Sequence, residues 1–250
     1  MNSRRFVGGW KVTRREIEPS HLQAPYDDGN RLISIDIDAP VVDAARGLID
    51  ASRRRILGLA GAPGAGKSTL SAALLSALGD QARVVPMDGF HLSNRQLARL
   101  GRAERKGAVD TFDAHGYRDL LSRLRAGRDS GETVYAPGFY REIEEPIAAS
   151  IDVPPETPLV ITEGNYLLLE ESPWPQVRAL IDEIWFLDVD AELREQRLIA
   201  RHMRFGRSER EAHDWMRDVD APNAARIAAV AANADRQLWW SGTHIRFKTP

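Results

Sequence analysis

Eight consecutive residues, Gly61 to Ser68, carry the clearest chemical signal in the sequence, because GAPGAGKS matches the pattern G-x-x-x-x-G-K-[ST]. Glycines let the backbone bend so that successive N–H groups point at one anion, and the positive end of a following helix adds to that field. In this pattern Lys67 reaches the β- and γ-phosphates, and the hydroxyl of Ser68 ligates Mg²⁺. We therefore predict a nucleotide-binding loop formed by Gly61, Ala62, Pro63, Gly64, Ala65, Gly66, Lys67, Ser68 and Thr69.

Two acidic residues lie where apolar stretches end: Asp88 after VVPM and Glu163 after LVIT. In open parallel sheets, ligands bind beyond the carboxyl ends of the strands. A carboxylate there can accept the proton of an attacking hydroxyl, or it can organise Mg²⁺. We predict Asp88 as the general base and Glu163 as the metal residue, although the roles could be exchanged. The structural alternatives are an Asp88-Gly89 turn and a helix-capping glutamate.

Four arginines recur at spacings of three and four, so they share one face of a predicted helix: Arg194, Arg197, Arg201 and Arg204. Arginine forks can stabilise the negative charge that spreads over a phosphoryl group during its transfer. We predict this role, within a lid, for Arg201 and Arg204, which precede the helix-breaking Gly206. For Arg194 we favour a solvated helix face paired with glutamates.

Strand and helix patterns alternate along the chain and must position these side chains. The predicted elements are a helix over 41–53, a strand over 54–61, a helix over 67–78, a strand over 82–89, a helix over 115–124, an extended segment over 133–139, strands over 157–164 and 183–190, helices over 191–203 and 223–234, and a strand or hairpin over 236–248. Several strands are continuous apolar runs, which is typical of parallel sheets covered on both faces. The sequence predicts an α/β P-loop NTPase fold: a mostly parallel five-stranded sheet with helices on both faces and a helical lid.

Composition excludes several classes of protein. The 250 residues carry a net charge of −2, which is unlike the basic surface of a nucleic-acid binder. No apolar run approaches the roughly 20 residues that span a membrane. The absence of cysteine excludes disulfides and thiolate metal sites. We expect a cytoplasmic protein with no nucleic-acid or membrane partner, in which residues 1–40 form an N-terminal extension and residues 41–250 form one domain.

Taken together, the motifs resemble the P-loop kinase superfamily of uridine kinase, phosphoribulokinase and pantothenate kinase. Within it they are most similar to the bacterial branch described as nucleoside/nucleotide kinase-like or fructose-transport-system kinase. The matching segments are GAPGAGKST, PMDGFHLSN, RKGAVDTFD, VYAPGFYREIEEPI, ITEGNYLLL, RLIARHMRFGRS and VDAPNAARI. The resemblance implies that residues 41–250 are a P-loop kinase domain that uses ATP and Mg²⁺.

The resemblance also implies roles for individual side chains. Under it, the catalytic and phosphate-contacting residues are Asp88, Lys67, Arg201 and Arg204, and the metal is held by Ser68 and Glu163. The residues expected to contact the acceptor are His91, Asp113, Phe139 and Arg141. For His91, a purely structural hydrogen-bonded role is the alternative. Tyr140 stands where relatives often carry aspartate, which leaves the hydrogen-bonding pattern of the acceptor open.

Two functions of different classes follow from these patterns. The first is an ATP-dependent small-molecule kinase that transfers the γ-phosphoryl group of Mg-ATP to an alcohol of a nucleoside, sugar or pantothenate-like metabolite. The second is a nucleotide-dependent switch or assembly NTPase without a small-molecule acceptor. The sequence has neither an N-K-x-D segment nor cysteines, which favours the kinase. A homodimer contact through Trp239 and Trp240 stays open beside core packing.

Overall fold

The computed structural model describes residues 36–249, which form two sheets and the helices around them. The strands are β1 (Asp36–Ile37), β2 (Arg55–Ala60), β3 (Ala82–Val84), β4 (Val134–Tyr140), β5 (Glu145–Val153), β6 (Leu159–Gly164), β7 (Glu183–Val189), β8 (Arg236–Trp240) and β9 (His244–Phe247). The α-helices are α1 (Ala39–Gly47), α2 (Lys67–Leu78), α3 (Asn94–Arg99), α4 (Ala114–Ser130), α5 (Trp174–Arg178), α6 (Ala191–Arg204), α7 (Glu209–Trp215) and α8 (Ala221–Ala228).

Within residues 36–249 the main sheet has the strand order β1-β9-β8-β7-β2-β6-β3, and the β8–β9 pair is the only antiparallel one. The predicted α/β architecture with a mostly parallel sheet is therefore confirmed. The predicted number of five strands is wrong: the described part of the chain gives the sheet seven, because the short β1 and the β8–β9 hairpin extend one edge. Apolar clusters cover both faces, one containing Leu70 and Trp185 and the other containing Tyr117 and Trp174.

Of the two strands that lead to the phosphate loop and to Asp88, one matches the sequence prediction and the other is shorter than predicted. Strand β2 and helix α2 match closely, and the loop between them begins where the apolar run of β2 ends. The strand predicted over 82–89 stops at Val84, because Pro86 lacks an N–H and a 3₁₀ turn over Met87–Phe90 follows. Asp88 thus lies on a turn just beyond the end of β3. Both sequence interpretations of Asp88, a residue at a strand end and part of an Asp-Gly turn, describe its position.

A separate antiparallel hairpin of β4 and β5 lies against this turn. The sequence pattern predicted only a short extended segment over 133–139 and missed β5. The approach is close, because a Cβ at Gly89 would overlap the carbonyl group of Pro137. The hairpin therefore brings Phe139 and Arg141 next to the Asp88 turn.

The predicted division of the chain at residue 40 stays a prediction. Strand β1 pairs in parallel with β9 at the edge of the main sheet, and α1 begins at Ala39, so residues 36–40 contribute one short strand and the start of a helix. The rest of the predicted extension lies outside the described residues. Across residues 36–249, no helix has both the length and the apolar character required to cross a bilayer.

Candidate active site

The phosphate loop packs closely against β8 and α6 at two glycines whose backbone is in the left-handed region. Gly66 has φ +90°, and a Cβ there would lie 2.9 Å or less from three carbons of the Trp240 ring. Gly64 has φ +77°, and a Cβ there would lie 2.8 Å from Cγ of Leu198. Trp240 is 2% exposed, so the prediction of core packing is correct for this tryptophan. The loop keeps its shape because neighbouring elements leave room only for glycine at these positions.

The Lys67 ammonium group is held over the loop by three oxygen atoms. Its Nζ donates to the carbonyls of Gly61 (2.9 Å) and Ala62 (3.1 Å) and to Oδ1 of Asn165 (2.6 Å). Burial lowers the pKa of Lys67, whereas the nearby charge of Glu163 raises it. Asn165 follows the β6 strand end, and sequence reasoning missed it, although its position two residues after Glu163 in the ITEGNY segment was a usable signal.

Asp88 is held as an ionised carboxylate. Nη2 of Arg141 donates to Oδ2 of Asp88 at 3.1 Å. Nδ1 of His91 lies 2.8 Å from the backbone carbonyl oxygen of Asp88. Burial by itself would raise the pKa of Asp88, but His91, Arg141 and Lys67 more than offset that effect and lower it. A carboxylate of this kind accepts hydrogen bonds and can take a proton from a hydroxyl that is losing it.

Glu163 lies near the end of β6, and its carboxylate makes no hydrogen bond or ion pair within the described residues. Burial raises the pKa of Glu163; Lys67 lowers it, and the charge of Asp88 raises it further. The Lys67 ammonium offsets part of the repulsion between the two carboxylates, and a bound cation near Glu163 would offset more of it. The environments of the two carboxylates therefore differ: the pKa of Asp88 is lowered, whereas the pKa of Glu163 is raised. From the sequence alone, their roles as base and metal residue could be exchanged.

Three of the four arginines in the α6 stripe, Arg194, Arg201 and Arg204, lie in different environments. Arg194 is 8% exposed, with Nη1 3.5 Å from the Pro63 carbonyl, so the predicted solvated position is wrong. The side chain packs against the phosphate loop instead, which the spacing of arginines could not reveal. The predicted pairing with a glutamate is confirmed, because Nη2 of Arg194 lies 3.5 Å from Oε1 of Glu195. Arg201 has no hydrogen bond or ion pair within residues 36–249, and burial, followed by the charge of Arg141, lowers its pKa to about 10. Arg204 is exposed, with Cζ 5.8 Å from the ring centroid of Phe205.

Aromatic and cationic side chains line the other side of Asp88. The His91 and Phe139 rings lie 4.7 Å apart, centroid to centroid. Nζ of Lys106 lies 5.1 Å from the Phe139 ring centroid, and Cζ of Arg141 lies 5.6 Å from it. Three of the predicted acceptor residues are thus brought together, and Lys106 joins them without having been predicted.

The fourth predicted acceptor residue, Asp113, has a structural use. It is exposed and is the N-cap of α4, where its Oδ1 accepts a hydrogen bond from the backbone N–H of Gly116 at 2.8 Å. Within the described part of the chain, it forms no hydrogen bond or ion pair with the residues around Asp88. A helix N-cap accounts for an aspartate at this position, and its contact with an acceptor stays a prediction.

Comparison with known proteins agrees with this site. A family model described as "Phosphoribulokinase / Uridine kinase family" matches residues 56–225. The Schizosaccharomyces pombe protein named "Putative uridine kinase C227.14" is 35% identical over 187 residues, which cover 68% of this chain and 79% of that protein. "Uncharacterized protein YggC" of Escherichia coli is 30% identical over 198 residues, covering 77% and 80%. A solved structure described as a "putative fructose transport system kinase" from Silicibacter sp. TM1040 is 38% identical, has a TM-score of 0.72, and matches over 81% of this chain and 98% of that chain.

The chain belongs to the phosphoribulokinase / uridine kinase family, because the family model covers more than half of its length. It is an ATP-dependent P-loop kinase, that is, a phosphotransferase with an alcohol group as acceptor. The predicted family, fold class and enzyme class are confirmed. The alternative of a switch or assembly NTPase without an acceptor is not supported.

Proposed function

We propose that the protein transfers the γ-phosphoryl group of Mg-ATP to a hydroxyl of a small metabolite, with Asp88 as the general base. The observation that carries this proposal is the position of Asp88. Its ionised carboxylate lies within the electrostatic reach of Lys67 on the phosphate loop, and it also adjoins the pocket of His91 and Phe139. A base for phosphoryl transfer must lie between donor and acceptor in this way.

The proposed reaction moves one proton to Asp88 and one phosphoryl group to the acceptor oxygen. The acceptor hydroxyl gives its proton to the Asp88 carboxylate as its oxygen forms a bond to the γ-phosphorus. The bond between that phosphorus and the β–γ bridging oxygen breaks, and ADP leaves. Lys67 and Arg201 stabilise the charge on the transferring group, because both are cationic and half-buried, where electrostatic interactions are stronger than in open water. The repulsion between Arg201 and Arg141 is relieved when an anion lies between them.

Magnesium fits the side chains present. Among residues 36–249 the Glu163 carboxylate has no hydrogen-bonding partner, and it lies near a second carboxylate; Ser68 lies in the first turn of α2, next to the loop. Oxygen ligands of this kind are those that Mg²⁺ prefers, and the ion usually completes its coordination with phosphates and water. We propose Ser68 and Glu163 as the metal-holding side chains, which would let the bound ion neutralise charge on the nucleotide phosphates.

The acceptor is proposed as an alcohol of a nucleoside, sugar or pantothenate-like metabolite. The pocket beside Asp88 offers an aromatic ring of Phe139 for the apolar part of such a molecule and the cations Lys106 and Arg141 for its oxygen atoms. One relative is named for uridine and one solved structure for fructose transport, which are two classes within this range. A cytoplasmic location, where ATP and metabolites are available, accords with this function.

The proposal is tested by measuring ADP release from Mg-ATP with a panel of nucleosides, ketoses, sugar phosphates, glycerate and pantothenate. We expect one class to stimulate release by the wild type and to give no stimulation with Asp88→Asn. Asp119→Asn is the matched control, since Asp119 is exposed and pairs with its neighbour Arg118. Equal stimulation of the wild type and Asp88→Asn would refute the base assignment, and no stimulation by any hydroxyl compound would refute the acceptor range.

A further inference from the structure

The helices that follow α6 contain an irregular turn that places a carboxylate in the protein interior. A π-helical turn over Met216–Asp220 separates α7 from α8, and Pro222 near the start of α8 lacks the N–H that a regular helix would need. Such turns insert one residue and are frequent at functional sites. Asp220 is 6% exposed, whereas its neighbour Asp218 is exposed and pairs with Arg217 at 2.7 Å.

The buried Asp220 carboxylate is bonded to the helix that carries Arg201. Its Oδ2 lies 2.7 Å from Nε2 of His202, whose side chain is 14% exposed. His202 directly follows Arg201 in α6, so this contact fixes the turn of helix from which the arginine projects. The Asp220 charge also acts directly on the Arg201 guanidinium and favours its protonated form.

Arg201 experiences opposing charges in the site. The Arg141 guanidinium repels it, and the Asp88 carboxylate attracts it. A guanidinium drawn onto Asp88 would join Arg141 there and occupy the oxygen atoms that must receive the acceptor proton. A second carboxylate, hydrogen-bonded to His202, attracts the Arg201 guanidinium independently of the base.

We propose that Asp220, through its bond to His202 and its charge, is a positioning residue that holds Arg201 ready for the γ-phosphoryl group; the role of Arg201 itself rests on the proposed function. Asp220 belongs to the VDAPN segment, one of the segments that carry the family resemblance. The inference gives this segment a task in catalysis without contact to nucleotide or acceptor.

The test compares Asp220→Asn with the matched control Asp218→Asn, which lies in the same π-helical turn but is exposed. Binding is measured by titration calorimetry with ADP and with AMP-PNP, an ATP analogue that carries a γ-phosphate. We expect Asp220→Asn to weaken AMP-PNP binding by about tenfold and to lower kcat by about 10- to 100-fold, the scale of a small misplacement of a catalytic group. ADP affinity, acceptor KM and the control should stay within about twofold of the wild type.

A double-mutant cycle with Arg201→Gln separates positioning from general loss of structure. If Asp220 acts through Arg201, Asp220→Asn has no further effect on AMP-PNP binding or kcat in the Arg201→Gln protein. If the effects of Asp220→Asn and Arg201→Gln on AMP-PNP binding and kcat multiplied in the double variant, the inference would be overturned, and the proposed function would remain intact. If Arg201→Gln had the AMP-PNP affinity and kcat of the wild type, both the role of Arg201 and the inference would be overturned. The acceptor panel with Asp88→Asn tests the general base separately.

A second pair of variants keeps the test valid if Asp220→Asn does not fold. His202→Gln retains an N–H donor for the Asp220 carboxylate, whereas His202→Leu removes it. We expect His202→Leu to reproduce the selective loss of AMP-PNP affinity and His202→Gln to retain most of it. Equal behaviour of these two variants would contradict the positioning role.

Discussion

The contact between Gly66 and Trp240 makes a quantitative prediction for the phosphate loop. A Cβ at Gly66 meets two penalties: φ is +90°, and three carbons of the Trp240 ring lie within 2.9 Å. A left-handed conformation costs a residue with a Cβ about 1–2 kcal/mol. The indole is 2% exposed and belongs to an apolar core cluster, so overpacking adds about 1–3 kcal/mol. We expect Gly66→Ala to lower the free energy of unfolding by about 2–5 kcal/mol and to abolish ATP binding.

Gly131 provides a control that isolates the conformational penalty. It also has a left-handed conformation, with φ +68°, but a Cβ there would have no neighbour within 4 Å. Urea denaturation of ligand-free protein should therefore show a loss for Gly66→Ala that exceeds the loss for Gly131→Ala by about 1–3 kcal/mol. In a Trp240→Leu background the excess should disappear. Equal losses in the two alanine variants, or retained ATP affinity of Gly66→Ala, would refute the role assigned to this contact.

Further outcomes follow from the charges and hydrogen bonds of the site. Arg201→Gln should lower kcat by about 10²-fold, whereas the exposed Arg204→Gln should lower it by less than about threefold, measured as acceptor-dependent ADP release. In a pH profile of kcat/KM, the raised pKa of Glu163 predicts loss of activity as the pH falls towards and below neutrality. The lowered pKa of Lys67 predicts loss of activity in the mildly alkaline range. Activity that is lost only at the ordinary pKa values of glutamate and lysine would contradict this. Thr162→Val leaves the buried Tyr117 hydroxyl and the backbone carbonyl of Val85 without their shared partner, so urea unfolding should show a loss of about 1–3 kcal/mol.

Features set by local sequence were predictable. The phosphate loop, the apolar strands β2, β6 and β7, both ends of α2 and the β8–β9 hairpin all follow from patterns within a dozen residues. Asp88 and Glu163 were identified for the same reason, since strand ends in a parallel sheet meet at one edge. The chemistry of the site could therefore be outlined before its geometry was known.

Features set by contacts between distant segments were not predictable. Strand β5 carries no clear alternation of burial, and it forms because β4 is beside it. Arg194 has the spacing of a solvated residue but packs beneath the phosphate loop. The partners of Lys67 and His202, which are Asn165 and Asp220, lie 98 and 18 residues away along the chain. No periodicity in one segment reports such pairings.

The most direct measurement of the central claim is the single-turnover rate of γ-phosphoryl transfer by Asp88→Asn, with saturating Mg-ATP and the acceptor that the panel identifies. If Asp88 accepts the proton of the acceptor, this rate falls by about 10²- to 10⁴-fold, while the affinity for Mg-ATP stays within about threefold of the wild type. A transfer rate within about tenfold of the wild type, with nucleotide binding intact, would show that another group takes the proton.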